Sequence, residues 1–272
     1  MHLSPQDFAV PWFLSFVYGA EPPRDSSLPV AQYLSSDNVV DVLSGRFKAD
    51  NVEFKALQIP YSYLRVHVKP LPHEAKPLIA KYTPLETLMW YHEELNHPQV
   101  NQIIKQRLET EEEKLNLTYG KLMERLLYFK KIDAPFYELL IPLAEEKLNK
   151  INLELDPPVV VLGDASYSMD VAIRTSTIIA SVLTVLTSAE LKFFNVRLVD
   201  PPLNPKTIPE VVRVATEMKA DGLTASACAL WPYYQQRKKI KFFIVVTDEV
   251  ENEKFNGTDY FPSMYLKYYQ EV

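Results

Sequence analysis

The chain has 272 residues, of which 47% are hydrophobic and 12% aromatic, so it can bury the core of one large domain or two small ones. Its formal net charge of −6 gives no general attraction to nucleic acid or to an anionic membrane, and any polyanion binding must therefore be local. A single cysteine, Cys228, excludes an intramolecular disulfide framework and fits a reducing compartment, which predicts a cytoplasmic or nuclear location.

Residues 1–82 are punctuated by prolines, so we expect irregular structure there rather than long helices. The apolar run at residues 8–20 lacks the positive flank of a signal peptide and is too short to span a bilayer. We therefore expect it to be a buried segment and expect no membrane association. Residues 61–69 have the composition of a β-strand.

Residues 83–154 form a predicted helical region, with helices over 83–95, 98–115, 118–131 and 134–150. Their apolar residues recur at three- and four-residue steps, as in Leu122, Leu126 and Phe129, which is typical of amphipathic helices.

From about residue 155 strands and helices alternate. Strands are predicted at 159–162, 191–199 and 241–247, and helices at 171–187, 208–219 and 226–236. This alternation predicts a mainly parallel α/β sheet covered by helices on both faces. In such sheets, ligands bind beyond the carboxyl ends of the strands.

Oxygen-bearing side chains cluster at those strand ends. Asp164, Ser166 and Ser168 form a D-x-S-x-S motif after the first strand, Thr224 lies in a loop that opens a helix, and Asp248 follows the third strand. Two carboxylates and three hydroxyls are hard ligands of the kind that suit Mg²⁺ or another divalent cation such as Mn²⁺ or Ca²⁺.

A plainer interpretation of the motif is that Asp164 caps the helix beginning near Met169 and that Ser166 serves in the turn before it, with no metal.

The same residues, in this order, resemble the metal-ion-dependent adhesion site (MIDAS) of the von Willebrand factor A (vWA) domain, over about residues 155–272. The resemblance implies a Rossmann-like fold in which Ser166 and Ser168 bind the ion directly. It implies that Thr224 binds directly or through water, and that Asp164 and Asp248 hold the ion mostly through water. One coordination position is then left for an Asp or Glu of a protein partner.

Two features depart from the vWA pattern. Leu223 stands where many family members have a second glycine, which affects the placement of Thr224. After Asp248 the sequence supplies one helix, at residues 260–271, whereas the family fold continues with further strands. We therefore expect a sheet that is incomplete at its C-terminal end. Either the sequence is a fragment of a longer protein, which we favour, or the sheet is completed by residues 61–69 or by a second chain.

A helical region followed by this domain is also similar, more weakly, to the Ro ribonucleoprotein (TROVE) proteins, which bind small RNAs. The resemblance rests on the predicted helix at 134–150 before the first strand and on residues 247–269 after the third. Acidic residues at 109 and 111–113 in the helical region give RNA binding no support from charge.

Two further features have a plain interpretation beside a functional one. The basic residues Arg237, Lys238 and Lys239 follow a predicted helix, where they interact favourably with its C-terminus or form a contact patch for an acidic partner or RNA. Cys228 has no histidine nearby in sequence and is predicted to be a small buried residue rather than a nucleophile.

The sequence thus predicts an irregular region at 1–82, a helical region at 83–154 and a vWA-like domain at 155–272. The expected function is non-enzymatic capture of an acidic partner group through a bound divalent cation. Two alternatives are an RNA-binding component of a Ro-like ribonucleoprotein and a metal-dependent hydrolase in which Asp248 orients a water.

Overall fold

The computed structural model describes residues 34–49, 52–53, 59–110 and 115–272. The chain separates into two compact units, Met1–Asn116 and Leu117–Val272. These units are defined by how closely their residues pack and not by whether each folds alone. The region boundaries predicted at residues 82 and 154 therefore stay predictions. The apolar run at residues 8–20 lies outside the described residues.

The described part of the first unit is mainly helical. Its elements are α1 (Val39–Ser44), β1 (Lys48–Ala49), β2 (Val52–Glu53), α2 (Tyr61–His67), α3 (Ala75–Tyr82), α4 (Leu85–Trp90), α5 (His92–Leu95) and α6 (Pro98–Thr110). Helix α3 contacts α1 and α6, and α4 also contacts α6. The helix expected over residues 83–95 is interrupted after Trp90 and forms α4 and α5.

The expectation of a strand at residues 61–69 is wrong, because this stretch forms the helix α2. Tyr61, Leu64 and Val68 are buried at spacings of three and four residues, which is the period of a helix and not of a strand. Burial of this face overrides the strand preference of the aromatic and β-branched residues. The segment therefore does not complete the sheet.

The second unit contains a four-stranded sheet. Its elements are α7 (Tyr119–Lys131), α8 (Tyr137–Asn149), β3 (Val159–Asp164), α9 (Asp170–Thr187), β4 (Glu190–Phe194), β5 (Leu198–Val199), α10 (Ile208–Glu217), a 3-10 helix (Ser226–Ala229), α11 (Trp231–Gln235), β6 (Phe242–Val246) and α12 (Phe261–Glu271). The strand order is β5-β4-β3-β6. Strand β3 runs parallel to both β4 and β6, and β5 is antiparallel to β4.

Strand β3 is buried on both faces because helices cover each side of the sheet. Val159 and Val161 belong to a core with Ile173 of α9, whereas Val160 and Leu162 belong to a core on the opposite face. The second core includes Leu230, Met264 and Tyr268. The predicted class, a mainly parallel α/β sheet flanked by helices, is confirmed.

Helix α9 is, within the described residues, the one helix whose length and composition would allow it to cross a membrane. It contacts β3, β4 and α10, and Ile173, Ala180 and Leu183 are buried in the core. We interpret it as the central core helix of the α/β unit.

The single strand expected over residues 191–199 is instead a hairpin of β4 and β5. Between them, the Asn195 N–H donates to the Arg197 carbonyl, and Asn195 Oδ1 accepts from the Arg197 N–H, both over 3.1 Å. Apolar residues lie on both sides of Asn195 and Arg197, so the surrounding composition favours one continuous strand. The helix expected over residues 226–236 is likewise divided, into the 3-10 helix and α11.

Candidate metal centre

The candidate centre lies where β3 and β6 end side by side. Their parallel register places Gly163 opposite Val246, so the next residues, Asp164 and Thr247, are neighbours at the carboxyl edge of the sheet. Gly163 permits close packing at this point, because a Cβ there would overlap Ser176 Oγ and approach the Phe193 ring to 2.8 Å.

Asp164 is completely buried, and its carboxylate is held only by uncharged donors. Its Oδ1 atom accepts the Ser166 N–H over 2.9 Å, and its Oδ2 atom accepts the Thr247 hydroxyl over 2.7 Å. No lysine, arginine or histidine in the described parts of the chain forms an ion pair with it. Burying a carboxylate without a cationic partner is costly, and these two hydrogen bonds offset part of that cost.

The capping interpretation of Asp164 and Ser166 finds no support in the structure. Helix α9 begins at Asp170 with Met169 at its N-cap, and no side chain accepts a capping hydrogen bond there. The Asp164 carboxylate instead orders the turn in which the two serines of the motif lie.

The loop that carries Thr224 is tied to the D-x-S-x-S loop by backbone hydrogen bonds. The Tyr167 N–H donates to Gly222 O over 3.0 Å, and the Asp221 N–H donates to Ala165 O over 2.8 Å. Gly222 has a φ of +76°, a left-handed conformation that glycine adopts at little cost. Leu223, the departure from the vWA pattern, is half exposed, and this arrangement places Thr224 at the cleft without a second glycine.

Asn195 and Asn252, which the sequence analysis did not single out, hold the same loop. Asn195 Nδ2 donates to Asp221 O over 2.9 Å, and its carbonyl accepts the Ala225 N–H over 2.9 Å. Asn252 Oδ1 accepts the Thr224 N–H over 3.3 Å, and the Asn252 N–H donates back to Thr224 O over 3.0 Å.

Four of the five predicted ligands line one cleft of about 160 Å³, namely Ser166, Ser168, Thr224 and Asp248. Asp164, the fifth, is the buried residue behind Ser166. A water molecule occupies roughly 30 Å³, so the cleft has room for an ion with part of its hydration shell. The structure therefore brings the predicted residues together.

The three hydroxyl groups of this cluster are free to act as ligands. Those of Ser166, Ser168 and Thr224 form no hydrogen bond with any described residue. The exposed Asp248 uses its Oδ1 atom to accept the Val250 N–H over 3.1 Å. The described residues contain no group of three or more His, Cys, Asp or Glu side chains suited to a metal. An ion at this cleft would thus be held largely by hydroxyls and water.

Glu251 is a further acidic residue that sequence reasoning missed. Its carboxylate accepts hydrogen bonds from the Ser226 hydroxyl and, over 2.9 Å, from the Phe261 N–H. The only signal in the sequence was its position three residues after Asp248. It links the loop after β6 to the 3-10 helix and to the start of α12.

Cys228 is a buried thiol near the carboxylates of Glu251 and Asp164. Burial, and then the charges of Glu251 and Asp164, raise the pKa of this thiol to about 12. The prediction that Cys228 is a small buried residue is confirmed, since its exposed fraction is 3%. Asp248 is the one ionisable side chain with a carboxylate in the described lining of the cleft.

The predicted basic contact patch is partly neutralised within the unit. Arg237 pairs with Glu271 and Lys238 with Glu190, each over 3.1 Å. Lys239 is exposed and forms no ion pair with a described residue. Arg237 also donates to the Glu271 carbonyl, which ties the patch to the last turn of α12.

No protein-family model and no curated protein matches the sequence. Among solved structures, the Ro (RSR) protein of Deinococcus radiodurans is similar, with a TM-score of 0.51 and 13% sequence identity. The match covers 97% of this chain and 58% of that chain, so this chain spans little more than half of its length. The fold is thus vWA-like, and the weaker resemblance to Ro proteins is supported at the level of the fold.

Proposed function

We propose that the second unit binds a divalent cation at the carboxyl ends of β3 and β6 and uses it to capture an acidic group of a protein partner. One observation carries this proposal. Asp164 is buried without a cationic partner, and close to it lie three hydroxyls, of Ser166, Ser168 and Thr224, that have no hydrogen-bond partner among the described residues. Mg²⁺ fits this set best, because it retains water and needs few direct protein ligands.

In this proposal Ser166, Ser168 and Thr224 hold the ion, and Asp164 and Asp248 balance its charge. A bound cation supplies a positive charge with an open coordination position, which is the chemistry that recognises a carboxylate. Asp164 also positions the loop, since it accepts both the Ser166 N–H and the Thr247 hydroxyl. The cleft opens beside the exposed Tyr167, which gives a partner a surface to contact.

Isothermal titration of Mg²⁺ into the wild-type chain and into Asp164→Ala tests this site. We expect one site in the wild type and none in the variant. Because Asp164 is buried, Ser168→Ala serves as a second variant whose exposed position should leave the fold intact. Asp170→Ala, at the exposed start of α9, is the matched control and should bind normally. Unchanged Mg²⁺ binding in both site variants would sink the assignment.

A second candidate function is RNA binding as part of a Ro-like ribonucleoprotein. It is favoured by one observation, the likeness in fold to the Deinococcus radiodurans Ro protein over 97% of this chain. Charge gives RNA binding little support, because the net charge of the chain is −6 and two residues of the basic patch, Arg237 and Lys238, are in ion pairs. Binding to a structured RNA should then fall with salt and disappear when Arg237, Lys238 and Lys239 are all neutralised.

A further inference from the structure

A second cavity lies within the first unit, and three of its eight lining residues are cationic. It has a volume of about 460 Å³, in the range of small-molecule sites, and is bordered by α2, by the segment after it, and by residues of α3 and α5. Three cations, Arg65, Lys69 and Lys76, line it against one carboxylate, that of Glu94. This excess of positive charge occurs in a chain whose net charge is −6.

The single carboxylate of the cavity is already engaged. Arg65 donates to it from Nε over 2.7 and 2.8 Å, and the Tyr61 hydroxyl donates over 2.7 Å. The Arg65 Nη2 atom forms an ion pair with it at 2.6 Å. The hydrogen bond from Arg65 is the main cause of the lowered pKa of Glu94. Glu94 therefore compensates Arg65 and orients its guanidinium, which also lies 4.8 Å from the centre of the Tyr91 ring.

The two lysines are less closely compensated: the charge of Lys69 interacts with Glu94 without a direct ion pair. Lys76 is half-buried, and its ammonium donates to Asn96 O at 3.4 Å, close to the outer limit of a hydrogen bond. Lys69 is exposed, and neither lysine forms an ion pair with a described acid. The Lys76 ammonium, which has one weak acceptor in an exposed hydrogen bond, can contact an added anion.

Apolar side chains form the remaining wall of the cavity. Val66 is 62% exposed, and Val68 and Leu71 also border the space. These apolar side chains cannot form hydrogen bonds with an inorganic ion, but they can contact the organic part of a larger ligand.

We propose that this cavity binds a small organic phosphate, with Lys69 and Lys76 contacting the phosphate group beside the Arg65–Glu94 pair. Lysine serves as a point charge for phosphate, and the free N–H groups of arginine add directional donors. The apolar wall then contacts the organic group. The same phosphate chemistry is present in a nucleotide and in an RNA backbone, so the test must separate these two sources.

Titrations of the full chain in EDTA test the proposal without involving the candidate metal centre. The probes are inorganic phosphate, AMP, adenosine and a short single-stranded RNA. We expect saturable binding of AMP, weaker binding of phosphate and no binding of adenosine. Lys76→Gln should weaken AMP binding about tenfold or more, the effect of losing one charge-assisted contact. Lys81→Gln, at an exposed position on the same helix α3, is the matched control and should bind as the wild type does.

The proposal is overturned if AMP fails to saturate the protein, or if Lys76→Gln binds it as tightly as Lys81→Gln. Binding of RNA in a manner that depends on Lys76, without binding of AMP, would also overturn it and assign the cavity to a polymer. Circular dichroism of both lysine variants shows whether they share the wild-type fold, so a loss of binding can be attributed to the missing charge.

Discussion

Thr247 donates its hydroxyl hydrogen to the Oδ2 atom of Asp164 over 2.7 Å, and this contact joins the ends of β3 and β6. The acceptor belongs to a completely buried carboxylate, whose other oxygen is used by the Ser166 N–H. The hydroxyl therefore helps to keep the negative charge of Asp164 in place at the candidate metal centre.

Replacing Thr247 by valine keeps the shape of the side chain but removes this donor. We expect Thr247→Val to lower the free energy of unfolding by about 1–3 kcal/mol, because a buried acceptor is left unsatisfied. Urea denaturation measures the change. Thr216→Val, on α10, is the control, because its hydroxyl bonds only to carbonyls of its own helix and should shift stability little. Equal stability of the two variants would show that the Thr247 contact is unimportant.

Substitution of Gly163 tests whether β3 packs closely beneath the candidate metal centre. An added Cβ would overlap Ser176 Oγ and the Phe193 ring, so Gly163→Ala should destabilise the protein by about 1–3 kcal/mol. Gly120 on α7 is the matched control, because nothing lies within 4 Å of its added Cβ. Gly120→Ala should be neutral or stabilising by up to about 1 kcal/mol, since alanine favours helix. Thermal or chemical unfolding of both variants makes the comparison, and a tolerated Gly163→Ala would contradict this packing.

Cys228 should be inert in the folded protein. Its pKa of about 12 in the folded state lies above the value of about 8.5 for a free thiol. A raised folded-state pKa means that this group's contribution to stability is fully present below about pH 8.5 and is lost as the pH rises towards 12. Labelling with a thiol reagent at pH 8 should be slow in buffer and fast in denaturant. Rapid labelling of the native protein would show that the thiol is not buried in this way.

Capture of a partner carboxylate should depend on the cation. We expect a short peptide with a central aspartate to bind in the presence of Mg²⁺ and to be released by EDTA, whereas the asparagine version should not bind. Fluorescence anisotropy of a labelled peptide measures this. If the aspartate and asparagine peptides bind alike, or if EDTA has no effect, the capture mechanism is wrong even where Mg²⁺ itself binds.

The sequence predicts which residues of the candidate metal centre meet at one edge of the sheet. A continuous apolar run marked β3 as a buried strand, and Asp164, Ser166 and Ser168 followed it directly. Thr224 and Asp248 were predicted at the same sheet edge from the alternation of strands and helices. The structure places these residues as expected, because parallel strands necessarily bring their carboxyl ends to one edge.

The supporting residues could not be predicted, because their roles depend on register and loop geometry. Thr247 contacts Asp164 only because β6 pairs with β3 in one particular register. Asn195 lies in a tight turn that the apolar residues on either side of it do not indicate. Asn252 accepts a hydrogen bond from the Thr224 N–H, which is 28 residues away in sequence. Residues 61–69 were assigned to a strand from composition, although the spacing of Tyr61, Leu64 and Val68 fits the helix that forms.

Locating a bound ion is the most direct test of the central claim. Crystals grown with Mn²⁺ in place of Mg²⁺ would show the ion by its anomalous scattering. We predict one peak in the cleft, within roughly 2.0–2.6 Å of the Ser166 and Ser168 hydroxyl oxygens. The peak should be missing in crystals of Ser168→Ala. A cleft without anomalous density at saturating Mn²⁺, or a peak bound elsewhere and unaffected by Ser168→Ala, would contradict the account.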